Sequence, residues 1–360
     1  MKIHNDAKLV DKAASVLKDL LDETEFLTTV IQTHENAASG IDAEITARTR
    51  SGTKEYTLIA EVKSSGQPLS ARQALDRLFR YTSENPGSYG IFVAPYISPD
   101  SAKMCREQGF GYADFEGNCL LRFDQIYIRT EAKRERKAEK RELRSLYSPR
   151  SERILRVLLQ YPGRSWHLLE LAKEADVSVG HVHNIKVQLV ERGWVKSPVQ
   201  SGGLVLSNHD ALLNDWPREY IDHKTVFNDY FSLMEIDWLE ARIAQTCEEA
   251  GIRYAFTGLS AAARRAPFVR YQRTELYVAG ADHKIVQLLA LKRVPSGSNV
   301  RIRVPYDAGV FYGSESLAGV EVVSSVQNYL DLVKEGGRAA DGSAYLKERV
   351  IDPLWRDHSE

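Results

Sequence analysis

The sequence predicts a multidomain protein that combines α/β and α+β architecture, and three observations support this fold class. The chain has 360 residues, more than one hydrophobic core usually accommodates. Its first third alternates helical and strand periodicities, and a charged run then separates that part from a region of short helices, strands and further helices. We therefore expect four segments, at residues 1–130, 131–149, 150–222 and 223–360.

Charge and cysteine content limit the classes of protein that fit this chain. Lysine and arginine number 48 against 49 aspartate and glutamate, so a uniformly basic coat is excluded and any phosphate contact must come from a local patch. Cys105, Cys119 and Cys247 show no C-x-x-C spacing, which argues against a zinc knuckle or a disulfide framework. Without a signal-peptide pattern or a membrane-spanning apolar run, we expect a cytoplasmic protein that contacts no membrane.

The first segment is predicted to be a mixed α/β domain. Its elements are a helix at 7–21, strands at 26–33, 41–49, 56–63 and 89–94, helices at 71–81 and 99–108, and a final hairpin ending at Ile128.

Two carboxylates and a lysine mark a candidate catalytic site in this domain. Glu61 and Lys63 end an apolar strand and project from one face, because side chains alternate along a strand, and the preceding hairpin brings Asp42 beside them. Asp42 and Glu61 can bind Mg²⁺, while Lys63 can orient a water nucleophile or offset developing charge. Metal-dependent phosphodiester hydrolysis and a purely structural or DNA-contacting role both remain open at this stage.

The helix, the three strands and the following helix and strand of residues 7–128, with Asp42, Glu61 and Lys63, resemble the PD-(D/E)xK restriction-endonuclease-like superfamily. The resemblance implies a mixed sheet with Asp42 and Glu61 as metal ligands and Lys63 as the catalytic lysine. Gln73 and Arg77 on the next helix are expected to be structural or to contact DNA.

The charged run over 131–149 is expected to be a basic linker helix. Its charges alternate in sign with a basic excess, which is typical of a solvated connection, and phosphate contact is the alternative.

Residues 150–206 predict a winged helix-turn-helix. A first helix ends at Tyr161-Pro162-Gly163, a short helix spans 168–175, and a tight turn leads into a second helix at 179–192. A two-stranded wing is expected from Trp194-Val195-Lys196 and Leu204-Val205-Leu206, joined across Ser201-Gly202-Gly203. Ser178 is placed to cap the second helix.

Polar residues of the second helix and the wing are the candidate DNA contacts, because the N-terminal half of such a helix enters the major groove. Asparagine pairs with adenine edges, whereas lysine and arginine meet guanine or phosphate. The candidates are Ser178, His181, His183, Asn184, Lys186, Arg192 and Lys196. The alternative is a winged helix used only for protein contact.

The last segment is expected to open with a long helical pattern near Thr225 and to contain a strand, a helix and a strand between Tyr254 and Val278. This part resembles a nucleotidyltransferase-type core. Active enzymes of that type place two strand carboxylates beside Gly-Ser, because two metal ions clamp the reacting oxygens. Only Glu275 matches here, so an inactive binding or dimerising module is expected.

Together with Val326–Leu332 and the turn Gly336-Gly337-Arg338, residues 150–355 resemble the AbiEi-type antitoxins and transcriptional regulators of type IV toxin–antitoxin systems. The resemblance implies a winged helix that represses its own operon and a cognate toxin as partner. We therefore expect an antitoxin-like regulator that binds double-stranded DNA as a homodimer. The alternatives are a Mg²⁺-dependent endonuclease of a phage-defence or restriction type, guided by the winged helix, and a protein-interaction scaffold.

Overall fold

The computed structural model describes residues 2–33, 41–131, 146–197, 203–220, 225–267, 270–280 and 282–356. Contacts divide the chain into two compact units, an N-terminal unit of residues 1–136 with 191–193 and a C-terminal unit of residues 137–190 with 194–360. Most of the predicted linker helix, and the tip of the predicted wing at 198–202, lie outside the described residues. None of the helices in the described ranges is long and apolar enough to cross a membrane.

The N-terminal unit is built on a seven-stranded mixed sheet whose strands follow chain order across the sheet. The strands are β1 Leu27–Thr33, β2 Ala43–Thr49, β3 Glu55–Val62, β4 Ser88–Ala94, β5 Gly111–Asp114, β6 Cys119–Phe123 and β7 Ile126–Thr130. Strands β3, β4 and β5 run parallel and the other neighbours antiparallel.

Three helices cover the two faces of this sheet, and they are α1 Lys2–Asp22, α2 Pro68–Glu84 and α3 Pro99–Glu107. Helix α1 buries Leu17 and Leu21 against one face, while α2 and α3 bury Leu75, Leu78 and Cys105 against the other. Because both faces are covered, the central strands are apolar on both sides, as parallel strands usually are. The predicted elements of residues 7–128 are all present, with ends shifted by a few residues.

The connection from β3 to α2 passes very close to the end of β4. Gly66 forms a parallel bridge with Ile97, and a Cβ atom at Gly66 would overlap the carbonyl oxygen of Tyr96. A side chain cannot fit there, so glycine fixes the approach of the two loops at this edge of the sheet.

The C-terminal unit begins with the predicted helix, turn, helix and hairpin. These elements are α4 Pro149–Gln160, α5 Leu168–Glu174, α6 Val179–Glu191, β8 Val195–Lys196 and β9 Val205–Leu206, followed by α7 His209–Tyr220. Leu158 of α4, Leu171 of α5 and Ile185 of α6 share one core. The Ser178 Oγ accepts a hydrogen bond from the amide of His181 at 3.2 Å, which confirms the predicted cap of α6.

A second seven-stranded sheet lies in the rest of this unit, with the order β13-β10-β14-β12-β11-β16-β15. Its strands are β10 Val226–Phe231, β11 Tyr254–Thr257, β12 Thr274–Val278, β13 Lys292–Arg293, β14 Val300–Val304, β15 Glu315–Leu317 and β16 Val320–Val322. The accompanying helices are α8 Ile236–Glu249, α9 Gly258–Arg265, α10 Asp282–Leu288, α11 Ser325–Glu335, α12 Arg338–Leu346 and α13 Asp352–Arg356.

The predicted helical start near Thr225 is wrong, because residues 226–231 form strand β10. Val226, Phe227, Tyr230 and Phe231 are β-branched or aromatic, and residues 226–230 pair with β14. Long-range pairing therefore decides the conformation of this segment. The predicted strand, helix and strand between Tyr254 and Val278 are present as β11, α9 and β12.

A buried polar network joins α4 to the sheet and to α11 inside the C-terminal unit. Arg156 is only 1% exposed and donates to the Gln327 Oε1 from both Nε at 3.0 Å and Nη2 at 2.7 Å. Its Nη2 also donates to the Tyr306 hydroxyl at 2.8 Å, and Glu152 accepts from the Trp216 indole at 3.0 Å. A buried guanidinium is tolerated only when such partners satisfy it, so these bonds fix α4 against α11.

Candidate functional sites

The predicted catalytic cluster is assembled at the C-terminal end of β3. The register of β2 with β3 pairs Ala43 with Ala60, which sets Asp42 opposite Glu61. The backbone confirms this neighbourhood, because the Val62 amide donates to Asp42 Oδ2 at 2.7 Å and the Asp42 amide donates to the Ala60 carbonyl at 3.1 Å. The hairpin therefore brings the two carboxylates together as the sequence predicted.

Glu61 is fully buried, and its two carboxylate oxygens differ in their hydrogen bonds. Its Oε1 accepts from Lys63 Nζ and from Arg77 Nη1, the latter at 2.9 Å, whereas its buried Oε2 has no hydrogen-bond partner. Burial raises the pKa of Glu61 above its ordinary value, the hydrogen bond from Lys63 lowers it, and the charge of Asp42 raises it further. Arg77 thus joins the predicted site, while Gln73 is exposed on the same helix.

The donor set of this cluster fits a Mg²⁺ ion. Mg²⁺ takes oxygen ligands and is commonly held by one or two carboxylates together with waters and substrate phosphates. Asp42 supplies one carboxylate, and the unpaired, buried Oε2 of Glu61 supplies an acceptor that a cation would satisfy. Within the described ranges, no group of three or more His, Cys, Asp or Glu side chains could hold a metal ion.

The outer side of α6 carries most of the predicted DNA contacts. Ser178, His183 and Asn184 are exposed, Lys186 is half-buried, and Lys196 on β8 is exposed. Val182, Ile185 and Leu189 point into the core from the opposite side of the same helix. We call the outer set of Ser178, His183, Asn184 and Lys186 the α6 polar face.

Two of the predicted DNA contacts lie elsewhere. His181 is half-buried, and its Nε2 lies 3.1 Å from the Ser151 hydroxyl of α4. Burial and the charge of Arg150 lower the pKa of His181, which favours the neutral ring. Arg192 is only 7% exposed, so the structure does not place it on the α6 polar face.

A basic groove beside α6 contains residues that sequence reasoning missed. The groove, of about 610 Å³, is lined in part by Arg150, Arg153, Lys173 and His181. Arg153 is ion-paired with Asp176 at 2.6 Å and with Asp307 at 2.8 Å, whereas Arg150 and Lys173 are exposed. No local sequence pattern marks these cations, because α4 and α5 meet only in the folded chain.

Glu275 of β12, the single carboxylate of the nucleotidyltransferase-like expectation, is held by arginines. Arg273 Nη2 lies 2.8 Å from its Oε1, and Arg303 donates to its Oε2 from Nε at 3.1 Å and also from Nη2. Burial opposes ionisation, but the guanidinium groups of Arg303 and Arg273 outweigh it and hold the pKa of Glu275 below its ordinary value. Both carboxylate oxygens are thus engaged by cations that belong to the chain.

Comparison with known proteins gives one family match. Residues 205–352 match the family model described as "Transcriptional regulator, AbiEi antitoxin, Type IV TA system". The predicted resemblance to AbiEi-type antitoxins is thereby confirmed for this part of the chain. The match begins at Val205, the first residue of β9, so it leaves α4, α5 and α6 outside. None of the curated proteins matches the chain.

Three solved structures show a low similarity to part of the chain. A repair endonuclease from Pyrococcus abyssi is 14% identical with a TM-score of 0.21, over 28% of this chain and 46% of that chain. EndoMS in apo form is 15% identical with a TM-score of 0.21, over 29% and 45%. The EndoMS-dsDNA2 complex is 15% identical with a TM-score of 0.21, over 29% and 44%. The chain spans less than half the length of each of these relatives.

Proposed function

We propose that this chain is an antitoxin-like transcriptional regulator that binds double-stranded DNA through a winged helix-turn-helix formed by α4, α5, α6, β8 and β9. The observation that carries the proposal is the α6 polar face, which presents Asn184 and His183 to solvent at the N-terminal half of a helix whose other side is fixed in a core. The N-terminal half of such a helix is the part that reaches base edges in a major groove.

The surroundings of α6 supply phosphate contacts on this proposal. Arg150 and Lys173 border the same groove, and Lys196 projects from the hairpin. Sequence-independent affinity for DNA comes mainly from such cations, because each one that meets a phosphate releases a counterion. Asn184 and His183 then supply sequence preference, and the cations position the helix.

The proposal extends to partners. A DNA-reading helix of this type usually works in a two-fold dimer on a pseudo-palindromic site, so we propose a homodimer. The family description of residues 205–352 names an antitoxin of a type IV toxin–antitoxin system, and a toxin is therefore the proposed functional partner.

The test is a gel shift and footprint with the purified chain on the DNA upstream of its own gene. We expect a protected site with two half-sites and loss of protection when His183 and Asn184 are both replaced by alanine. The control is His283→Ala with Gln287→Ala, two exposed polar residues of α10 outside the α6 polar face, which should leave the footprint unchanged. A complete absence of sequence-specific protection would contradict the proposal.

A second candidate function is Mg²⁺-dependent cleavage of DNA by the N-terminal unit, and the unpaired Oε2 of buried Glu61 favours it. Asp42 and Glu61 would hold the ion, which would supply Lewis-acid chemistry and activate water. Lys63, already bonded to Glu61, would orient the nucleophile or offset charge on the phosphate. Arg77, half exposed at 2.9 Å from Glu61, would bind a DNA phosphate.

Incubation with supercoiled plasmid and linear duplex separates the two candidates. Cleavage that requires Mg²⁺ or Mn²⁺, stops with chelator, and disappears in Lys63→Ala and Glu61→Ala would establish the nuclease. Gln73→Ala, on the same helix as Arg77, is the control and should retain cleavage. Binding without cleavage under every metal condition would leave the regulator as the function of the chain.

A further inference from the structure

A pocket of about 380 Å³ in the C-terminal unit is lined by three arginines and two glutamates, and its volume is typical of sites for small molecules. We call it the arginine pocket. The residues that matter for its chemistry are Gly258, Arg270, Arg273, Glu275, Glu335 and Arg338. It is formed by the start of α9, the segment leading into β12, and the junction of α11 with α12, none of which contributes to the α6 polar face.

The carboxylates of the arginine pocket are already matched by arginines. Glu275 is clamped between Arg273 and Arg303, and Glu335 contacts Arg273 and lies 3.1 Å from Arg303 Nη2. Arg301 lies 3.4 Å from Glu335 and is itself paired with Asp229 at 2.8 Å. The inner wall is therefore a fixed array of guanidinium groups whose orientation is set by ion pairs within the chain.

Two more arginines at the rim add charge that these carboxylates do not balance. Arg270 and Arg338 are both exposed, and among the described residues neither has an ion pair or a side-chain hydrogen bond. The lining holds three arginines against two glutamates, and Arg303 behind Glu275 adds a fourth cation. An excess of planar, multiply donating cations around a cavity of this size is suited to an anion with several oxygens.

The helix ends at the arginine pocket add positive potential. Helix α9 begins at Gly258, and its N-cap residue Thr257 donates its hydroxyl to Asp331 at 2.6 Å instead of capping the helix. Helix α12 begins at Arg338 after Gly337, which has no side chain to act as a cap. First-turn amides without side-chain caps favour a negative charge at both helix ends.

The Ser260 hydroxyl is directed into the fold, although Ser260 lies only two residues after Gly258 in the sequence. Its hydroxyl donates to the Thr257 carbonyl at 2.8 Å, inside the fold. Because Glu275 is engaged by arginines and the Ser260 hydroxyl donates inward, the polar groups left to meet a ligand in the pocket are mainly guanidinium groups.

We propose that the arginine pocket binds a compact polyphosphate, either free pyrophosphate or the phosphate chain of a nucleoside triphosphate, without a metal ion. Arg270 and Arg338 would close over the anion from the rim, and Arg273 would contact it from the wall. Glu335 would compete with the anion for Arg273 and Arg303. Replacing Arg270 and Arg338 should therefore weaken binding, whereas neutralising Glu335 should strengthen it.

The test is isothermal titration of the full chain with pyrophosphate and separately with ATP, in the presence of EDTA and at low ionic strength. We expect saturable binding at one site per chain, weakened by at least about tenfold in Arg270→Ala/Arg338→Ala because two charge-assisted hydrogen-bonding groups are lost. Glu335→Gln should bind more tightly than the original chain. Arg349→Ala, an exposed arginine outside the lining, should bind as the original chain does.

The same titrations identify the source of the phosphate and the results that overturn the proposal. Tighter binding of ATP than of pyrophosphate assigns the pocket to a nucleotide, and equal binding assigns it to the phosphate chain alone. Absence of binding for both probes would refute the site. Equal affinity in the original chain and in Arg270→Ala/Arg338→Ala would also refute it, because the anion would then be bound elsewhere, and circular dichroism would verify that this variant is folded.

Discussion

Glu61 is a buried carboxylate whose negative charge is disfavoured by its surroundings. The candidate metal site should therefore affect how the stability of the fold depends on pH and on Mg²⁺. Burial raises the pKa of Glu61, so its protonated form stabilises the fold at low pH. That contribution is present below the ordinary pKa of a glutamate side chain and is lost as the pH rises through the higher pKa of Glu61 in the folded chain. At neutral pH the buried charge is a cost that a bound cation would offset.

We predict that Mg²⁺ raises the midpoint of thermal unfolding of the original chain at neutral pH, because an ion that binds only the folded state stabilises it. Glu61→Gln, which removes the charge and keeps the shape, should abolish the Mg²⁺ response. It should also flatten the pH dependence of stability between the ordinary pKa of a glutamate side chain and neutral pH. Glu44→Gln, a neighbouring half-buried carboxylate, serves as the control. An equal Mg²⁺ response in Glu61→Gln and the original chain would place the ion elsewhere.

Single residues of the α6 polar face should separate sequence reading from phosphate binding. We predict that Asn184→Ala relaxes base preference at one position of the DNA site, at a cost of about 1 to 3 kcal/mol if the side chain makes a bidentate contact. Lys186→Ala or Lys196→Ala should instead weaken binding to all sequences. Each should also reduce the slope of the logarithm of affinity against the logarithm of salt concentration by about one, the change expected for one lost phosphate contact. Selection from a randomised duplex library and salt titrations measure the two effects. Unchanged preference in Asn184→Ala, or an unchanged salt slope in the lysine variants, would count against these roles.

At the scale of elements, the sequence predicts those helices, strands and turns whose conformation depends on the local residue pattern. The strand ending in Glu61 and Lys63 was recognised because an apolar run terminates in charges, and the turn before α6 was recognised because Ser178 is a strong cap. Strand β10 was not recognised, because Val226–Phe231 gains its strand conformation from pairing with β14, which is distant in sequence. The arginine array around Glu275 was missed for the same reason, since Arg303 arrives from another strand.

The loop contact at Gly66 is an element-scale constraint that can be tested with matched glycine substitutions. We predict that Gly66→Ala destabilises the chain by about 1 to 3 kcal/mol or more, because its Cβ would overlap backbone atoms that cannot move aside freely. Gly180→Ala in α6 is the control, since no atom lies within 4 Å of its Cβ position and alanine is the better helix former by about 0.5 to 1 kcal/mol. Urea unfolding of both variants gives the comparison. A neutral Gly66→Ala would show that the β3–α2 connection can shift.

At the scale of the whole molecule, the described contacts join helices α4, α5 and α6 to the rest of the C-terminal unit through one apolar core. The sequence predicts a domain boundary near residue 222, and in the structure α4, α7 and α11 contribute to one apolar core and share the polar network around Arg156. The network depends on Gln327 and Tyr306, whose sequence distance from Arg156 hides it from local pattern reading. The apolar core and the Arg156 network therefore decide whether the parts before and after residue 222 unfold independently.

Arg156 provides the direct test of that cooperativity. We predict that Arg156→Ala lowers the free energy of unfolding by about 3 to 5 kcal/mol, because the buried Glu152 loses its counter-charge and the buried Gln327 Oε1 loses its donor. Hydrogen exchange should lose protection in α11 as well as in α4, since one network holds both helices. Arg150→Ala, on the same helix but exposed, should leave the exchange of both helices unchanged. If protection fell in α4 while α11 exchanged as before, the two parts would behave as the separate domains that the sequence alone predicts.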